Sequence, residues 1–122
     1  MAKILIVDDE KMICEGFRDL LQEDNHEVDM AFGGEEAVEK VKKTQYDLVF
    51  LDVLMPRMEG REAFEKIKTI SSAPVAIMSG YIPENKAKEV LALGAVACLK
   101  KPLDLRKVRE LIVAVTTKNP AS

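Results

Sequence analysis

Short runs of consecutive apolar residues alternate along this chain with longer stretches whose apolar positions recur every three or four residues. The first run is Lys3-Ile4-Leu5-Ile6-Val7, and Lys11 to about Glu23 follows with Ile13, Phe17, Leu20 and Leu21 on one face of an expected helix. Asp24-Asn25 breaks that helix. Glu27 to Ala31 alternates enough to predict a partly exposed edge strand, and Gly33-Gly34 opens a second helix striped by Ala37, Val38 and Val41. The third strand is Asp47 to Asp52. After Pro56 and Gly60 a helix carries Ala63, Phe64, Ile67 and Ile70. The fourth strand, Pro74 to Met78, ends at Ser79-Gly80. Ile82-Pro83 leaves the start of the next helix ambiguous, whereas Gly94 after Leu93 marks its end as a left-handed terminator. Val96 to Leu99 is the fifth strand. Asp104 is an N-cap for a last helix striped by Leu105, Val108, Leu111, Ile112 and Val115.

Strand-then-helix repetition predicts an α/β fold, a parallel sheet with helices on both faces joined by right-handed crossovers. Leu48 to Leu51 is apolar throughout, as suits a strand buried on both faces in the middle of such a sheet. With 122 residues, 48% apolar and 32% charged, the chain reads as one ordinary globular domain over 1–118 with a frayed tail at 119–122. A net charge of −3 argues against direct binding to nucleic acid through phosphate neutralisation. No apolar run reaches membrane-spanning length, and Met1-Ala2-Lys3 leads straight into a strand pattern, so neither membrane insertion nor a signal peptide is expected. Cys14 and Cys98 have neither the spacing nor the number of a metal site or disulfide framework, which predicts a reduced, cytoplasmic protein. Cys14 is expected at a helix surface or boundary, and Cys98 as a small buried hydrophobe.

In a parallel sheet every strand delivers its last residues to the same edge, where open α/β sheets bind their ligands. Asp8, Asp9, Asp52, Ser79 and Lys101 all arrive there. Three crowded carboxylates repel, and a hard divalent cation relieves them; Mg²⁺ suits the few oxygen ligands on offer. Lys101 brings a mobile positive charge, and Ser79 a hydroxyl for a new anion. With one histidine in the chain, His26, nucleophilic attack falls to a carboxylate, which can form an acyl phosphate once the incoming charge is neutralised. Asp52 as a simple cap, Asp8-Asp9 as a helix cap and Ser79 as a turn serine are the plain alternatives.

The motifs Val7-Asp8-Asp9-Glu10, Gly34-x-Glu36-Ala37-Val38, Leu51-Asp52-x-x-Met55-Pro56 with Gly60, Met78-Ser79-Gly80 and Lys101-Pro102 occur in this order. Together they resemble the receiver domain of two-component response regulators, over essentially the whole length. The resemblance implies a flavodoxin-like five-stranded sheet in the order 2-1-3-4-5. It implies that Asp52 is the phosphoacceptor, that Asp8, Asp9, Asp52 and the Leu54 carbonyl hold Mg²⁺, that Ser79 follows the phosphoryl group and that Lys101 pairs with it. A cis Lys101–Pro102 bond is also implied. The function implied is a signalling switch, not an enzyme. A histidine kinase or phosphotransfer protein phosphorylates it, and it meets a downstream protein or a second copy through the face of the fourth helix, fifth strand and fifth helix.

The chain departs from the family pattern in three places. Glu59 stands where Asp is usual, Gly80 where Ala is usual, and Cys98 where an aromatic residue commonly couples to the hydroxyl. Cys98 is too small for that role, which turns attention to Tyr81 as its substitute. A metal-dependent phosphohydrolase is disfavoured because Leu54 stands where its second Asp would act and no cap insertion is present. A partner-binding pseudo-receiver is disfavoured because the acidic pair and Lys101 are both kept.

Overall fold

The structure, a computed structural model, describes residues 2–53, 60–80 and 83–116. Ten elements alternate along the chain: β1 (Lys3–Val7), α1 (Lys11–Glu23), β2 (Glu27–Ala31), α2 (Gly34–Lys43), β3 (Leu48–Asp52), α3 (Gly60–Ile70), β4 (Val75–Ser79), α4 (Glu84–Ala92), β5 (Ala97–Lys100) and α5 (Leu105–Thr116). The strands form one sheet in the order β2-β1-β3-β4-β5, and every pairing is parallel. The expected fold class and strand order are therefore the observed ones. The expected tail at 119–122 lies outside the described residues.

The two-residue period of the strands divides the core into two layers. Leu5, Val7, Val49, Leu51, Val75 and Ile77 project to one side, where α2, α3 and α4 contribute Ala37, Val41, Phe64, Ile67 and Val90. Ile4, Ile6, Leu48, Phe50, Ala76 and Met78 project to the other, against Cys14, Phe17 and Leu21 of α1 and Val108 and Ile112 of α5. Both faces of the three central strands are thus covered, which is why their sequences are apolar without alternation. Phe17 meets Phe50 edge-on, with ring centroids 5.0 Å apart. Each fully buried side chain of this size contributes about 1.5–3 kcal/mol of transfer free energy.

Local signals explain the boundaries. Asn25 adopts a left-handed backbone (φ 68°) and ends the turn after α1, and Gly94 does the same after α4 (φ 113°). The Asp104 carboxylate accepts the Arg106 N–H at 2.9 Å, the N-cap expected for α5. Four details differ from expectation. The buried face of α1 is Cys14, Phe17 and Leu21, whereas Ile13 and Leu20 flank it and are exposed. Cys14 is fully buried and Cys98 only half-buried, the reverse of their expected places. The sheet edge explains the second, because β5 has a neighbour on one side only. Ile70, expected within the apolar stripe of α3, is exposed at its end. Finally β5 runs one residue later than expected, leaving Val96 exposed.

Candidate functional site

The ends of β1, β3 and β4 and the residues after β5 converge at one edge of the sheet. Asp8 extends β1 by donating its N–H to the Ala31 carbonyl at 3.1 Å, and its side chain has no solvent exposure. Asp52 closes β3, 3% exposed, with the next N–H, that of Val53, bonded to the Met78 carbonyl at 3.2 Å. Ser79 ends β4 and is fully buried, and its carbonyl accepts the Lys101 N–H at 2.7 Å. Asp9 alone of the three carboxylates is exposed. The Lys101–Pro102 peptide is cis, in agreement with the resemblance.

Carboxylate oxygens of Asp8, Asp9 and Asp52 lie within 4.8 Å of one another. The Lys101 ammonium sits among them, 2.6 Å from Asp8 Oδ2 and 3.0 Å from Asp52 Oδ2. Burial by itself would lower the Lys101 pKa, but the hydrogen bonds and charges of Asp8 and Asp52 outweigh it and hold the group above the ordinary lysine value. Among the described residues of the site one ammonium faces three carboxylates, so negative charge is in excess there. Its donors are hard oxygens reachable from solvent beside Asp9, which fits an oxygen-ligated divalent cation and not a thiolate- or imidazole-ligated one.

Asp8, Asp9, Asp52, Ser79 and Lys101 are thus brought together as expected. Leu54, Glu59 and Tyr81 lie outside the described residues. A Cβ built on Gly80 meets nothing within 4 Å, so this departure from the family pattern does not arise from crowding. The residue that sequence reasoning missed is Cys14. Its thiol donates to the Asp8 carbonyl at 3.3 Å, and burial, followed by the Asp8 charge, pushes its pKa up to about 12. Its spacing to Phe17 and Leu21 is consistent with a buried position, but Ile13 fits the same helical stripe. Beside Lys101, between α1 and the start of α5, opens an apolar groove of about 460 Å³ lined by Ile13, Phe17, Leu20, Pro102, Leu103 and Leu105 among others.

Comparison with known proteins gives a consistent result. The sequence model described as the response regulator receiver domain matches residues 4–113. The transcriptional regulatory protein ZraR of Klebsiella oxytoca is 40% identical over 107 residues, 87% of this chain and 24% of that protein. The chemotaxis protein CheY of Treponema pallidum is 38% identical over 117 residues, 93% of this chain and 81% of that protein. The chain therefore spans about a quarter of the first relative and most of the second. Among solved structures, the response regulator protein TrrA from Thermotoga maritima, in complex with Mg²⁺-BeF, superposes with a TM-score of 0.83. It is 31% identical, covering 94% of this chain and 99% of that one. Among the described residues no helix is long and apolar enough to cross a membrane.

Proposed function

The chain belongs to the response regulator receiver domain family, and from that premise we propose that it is a phosphorylation-dependent switch taking its phosphoryl group on Asp52. The observation that carries this reading is the placement of Asp52. It is a nearly buried carboxylate at the end of the central strand, tied through Lys101 to Asp8 and close to Asp9. The donor is a histidine kinase or a phosphotransfer protein. One Asp52 oxygen attacks phosphorus, the P–N bond of the donor's phosphohistidine breaks, and the imidazole leaves with the electron pair and is protonated.

Asp8, Asp9 and Asp52 would hold Mg²⁺, which when bound supplies positive charge opposite the phosphoryl oxygens. The complex of TrrA with Mg²⁺-BeF supports that assignment. Lys101, already within hydrogen-bonding distance of Asp52, can pass one of its N–H groups to a phosphoryl oxygen without leaving Asp8. The Ser79 hydroxyl, on the neighbouring strand, is the second donor to that group. Because the Ser79 carbonyl is bonded to the Lys101 N–H, a shift of either residue is felt by the other's backbone. The apolar groove beside Lys101 gives a donor protein a footing within reach of Asp52.

The response leaves the site through the face of α4, β5 and α5, where Leu91, Leu93, Val96 and Val113 are exposed large hydrophobics available to a downstream protein or a second copy. The test is intact-mass spectrometry after incubation with acetyl phosphate and Mg²⁺. Wild type gains one acid-stable, base-labile phosphoryl group and Asp52→Ala gains none. Equal labelling of the two proteins would refute the assignment.

A further inference from the structure

We propose that Cys14 is a positioning residue for the acidic loop, its thiol holding the Asp8 carbonyl so that Asp9 stays turned towards Asp8 and Asp52. This deepens the metal-dependent reading given above and rests on it. Between β1 and α1 the chain is closed by three hydrogen bonds. Asp8 Oδ1 accepts the Glu10 N–H at 2.9 Å, the Glu10 carbonyl accepts the Cys14 N–H at 3.1 Å, and the Asp8 carbonyl accepts the Cys14 thiol at 3.3 Å. Two of the three converge on Cys14. Glu10, the N-cap of α1, makes no side-chain capping bond, so the order of this turn comes from elsewhere.

The geometry shows why one thiol matters. The Asp8 carbonyl and the Asp9 N–H belong to one planar peptide unit, so fixing the carbonyl fixes the plane from which Asp9 departs. Asp9 is exposed, and packing alone does not direct its carboxylate. Cys14 itself has no solvent exposure and is packed in the layer that includes Phe17, Leu21 and Ile6. Its sulfur is therefore a fixed point against which the loop is registered. A thiol is a weak donor, so the effect is moderate and not all-or-none.

The experiment is an Mg²⁺ titration of the whole chain followed by the backbone amide signals of Asp8, Asp9 and Glu10, with the melting temperature in EDTA measured in parallel. Cys14→Val removes the donor with a slightly larger apolar side chain, Cys14→Ala removes the donor with a smaller one, and Cys14→Ser keeps a donor. Val and Ala are expected to weaken Mg²⁺ binding about fivefold and to speed hydrogen exchange at the Asp9 amide, with Ser within about twofold of wild type. A folded Val variant that binds Mg²⁺ as tightly as wild type overturns the proposal. So does a Ser variant as weak as Val, because packing would then be the cause. Wild-type protein whose loop signals ignore Mg²⁺ overturns the metal reading itself, a result distinct from either.

Discussion

Replacing Lys101 by Met removes the ammonium bonded to Asp8 and Asp52 while keeping most of its aliphatic stem. Asp8 and Asp52, with side chains 0% and 5% exposed, would then face each other and Asp9 without that charge between them. Breaking a buried ion pair by deleting one partner costs about 3–5 kcal/mol. The 17% exposure of Lys101 lets water screen part of this and places the expected loss at the lower end, about 3 kcal/mol. For a domain of this size that is a fall of roughly 10 °C in melting temperature. The ammonium also shares oxygens with any metal held by Asp8 and Asp52, so its removal should tighten Mg²⁺ binding. Both proteins gain stability from saturating Mg²⁺, so the deficit of the variant should shrink by RT ln of the ratio of the two Kd values, about 1.4 kcal/mol for tenfold tighter binding. The pH dependence has a defined sign. The folded-state pKa of Lys101 is raised, so its stabilisation is complete below the ordinary value of 10.5 and lost as pH climbs past it, where wild type and variant should converge. Differential scanning calorimetry in EDTA and in Mg²⁺ measures both effects. Equal melting temperatures in EDTA, or an Mg²⁺ shift no larger than that of wild type, would refute the reasoning.

Asp9→Ala should behave in the opposite way: its side chain is exposed, so the fold should change by less than about 0.5 kcal/mol while Mg²⁺ binding weakens at least roughly tenfold. Calorimetric titration against the melting temperature in EDTA separates the two, and undiminished affinity would remove Asp9 from the ligand set. Tyr46→Phe probes the far end of the sheet, where the buried phenol donates to Asp29 Oδ2 at 2.6 Å. Burial first, then that bond, holds the Tyr46 pKa above its ordinary 10.0, so the folded chain keeps a proton that the unfolded chain releases above pH 10.0. Phe should cost about 1 kcal/mol near neutrality, and the gap should shrink as pH rises past 10. Urea midpoints at neutral and alkaline pH check this, and a gap constant with pH would contradict it.

The central strands were the most legible part of the chain because burial on both faces removes alternation, leaving apolar runs that only a sheet interior accepts. Edge positions were less so. In β5 every residue is half-buried or exposed, and its start was misplaced by one residue. The same edge explains why Cys98 is not the buried cysteine. On α1 the apolar residues form a stripe wider than the contact it makes with the sheet, so periodicity alone could not decide between Ile13 and Cys14. Strand order came from the resemblance: the pattern marked Glu27 to Ala31 as an edge, and it did not order the remaining strands. The Tyr46–Asp29 bond joins β2 to the approach to β3, and no local signal announces a contact of that kind.

The chemistry was easier to read than the packing, and the reason is energetic. A strand buried on both faces has no use for a carboxylate, and an apolar residue of similar size at position 8 or 52 would be as stable or more so. Asp8, Asp52 and Ser79 therefore stand out, as buried polar residues, against the apolar runs they terminate. Those residues share one edge only because every strand is parallel, so the topology converts residues far apart in the chain into a single cluster. Lys101 offsets part of the electrostatic cost but not all of it. An additional cation, or a change in charge on Asp52, would alter that balance. The bond from the Lys101 N–H to the Ser79 carbonyl connects that balance to the backbone of β4 and the residues after β5. Residues such as Cys14 escaped notice because they keep to the apolar pattern, acting through a weak donor on a carbonyl while packing as an ordinary core side chain.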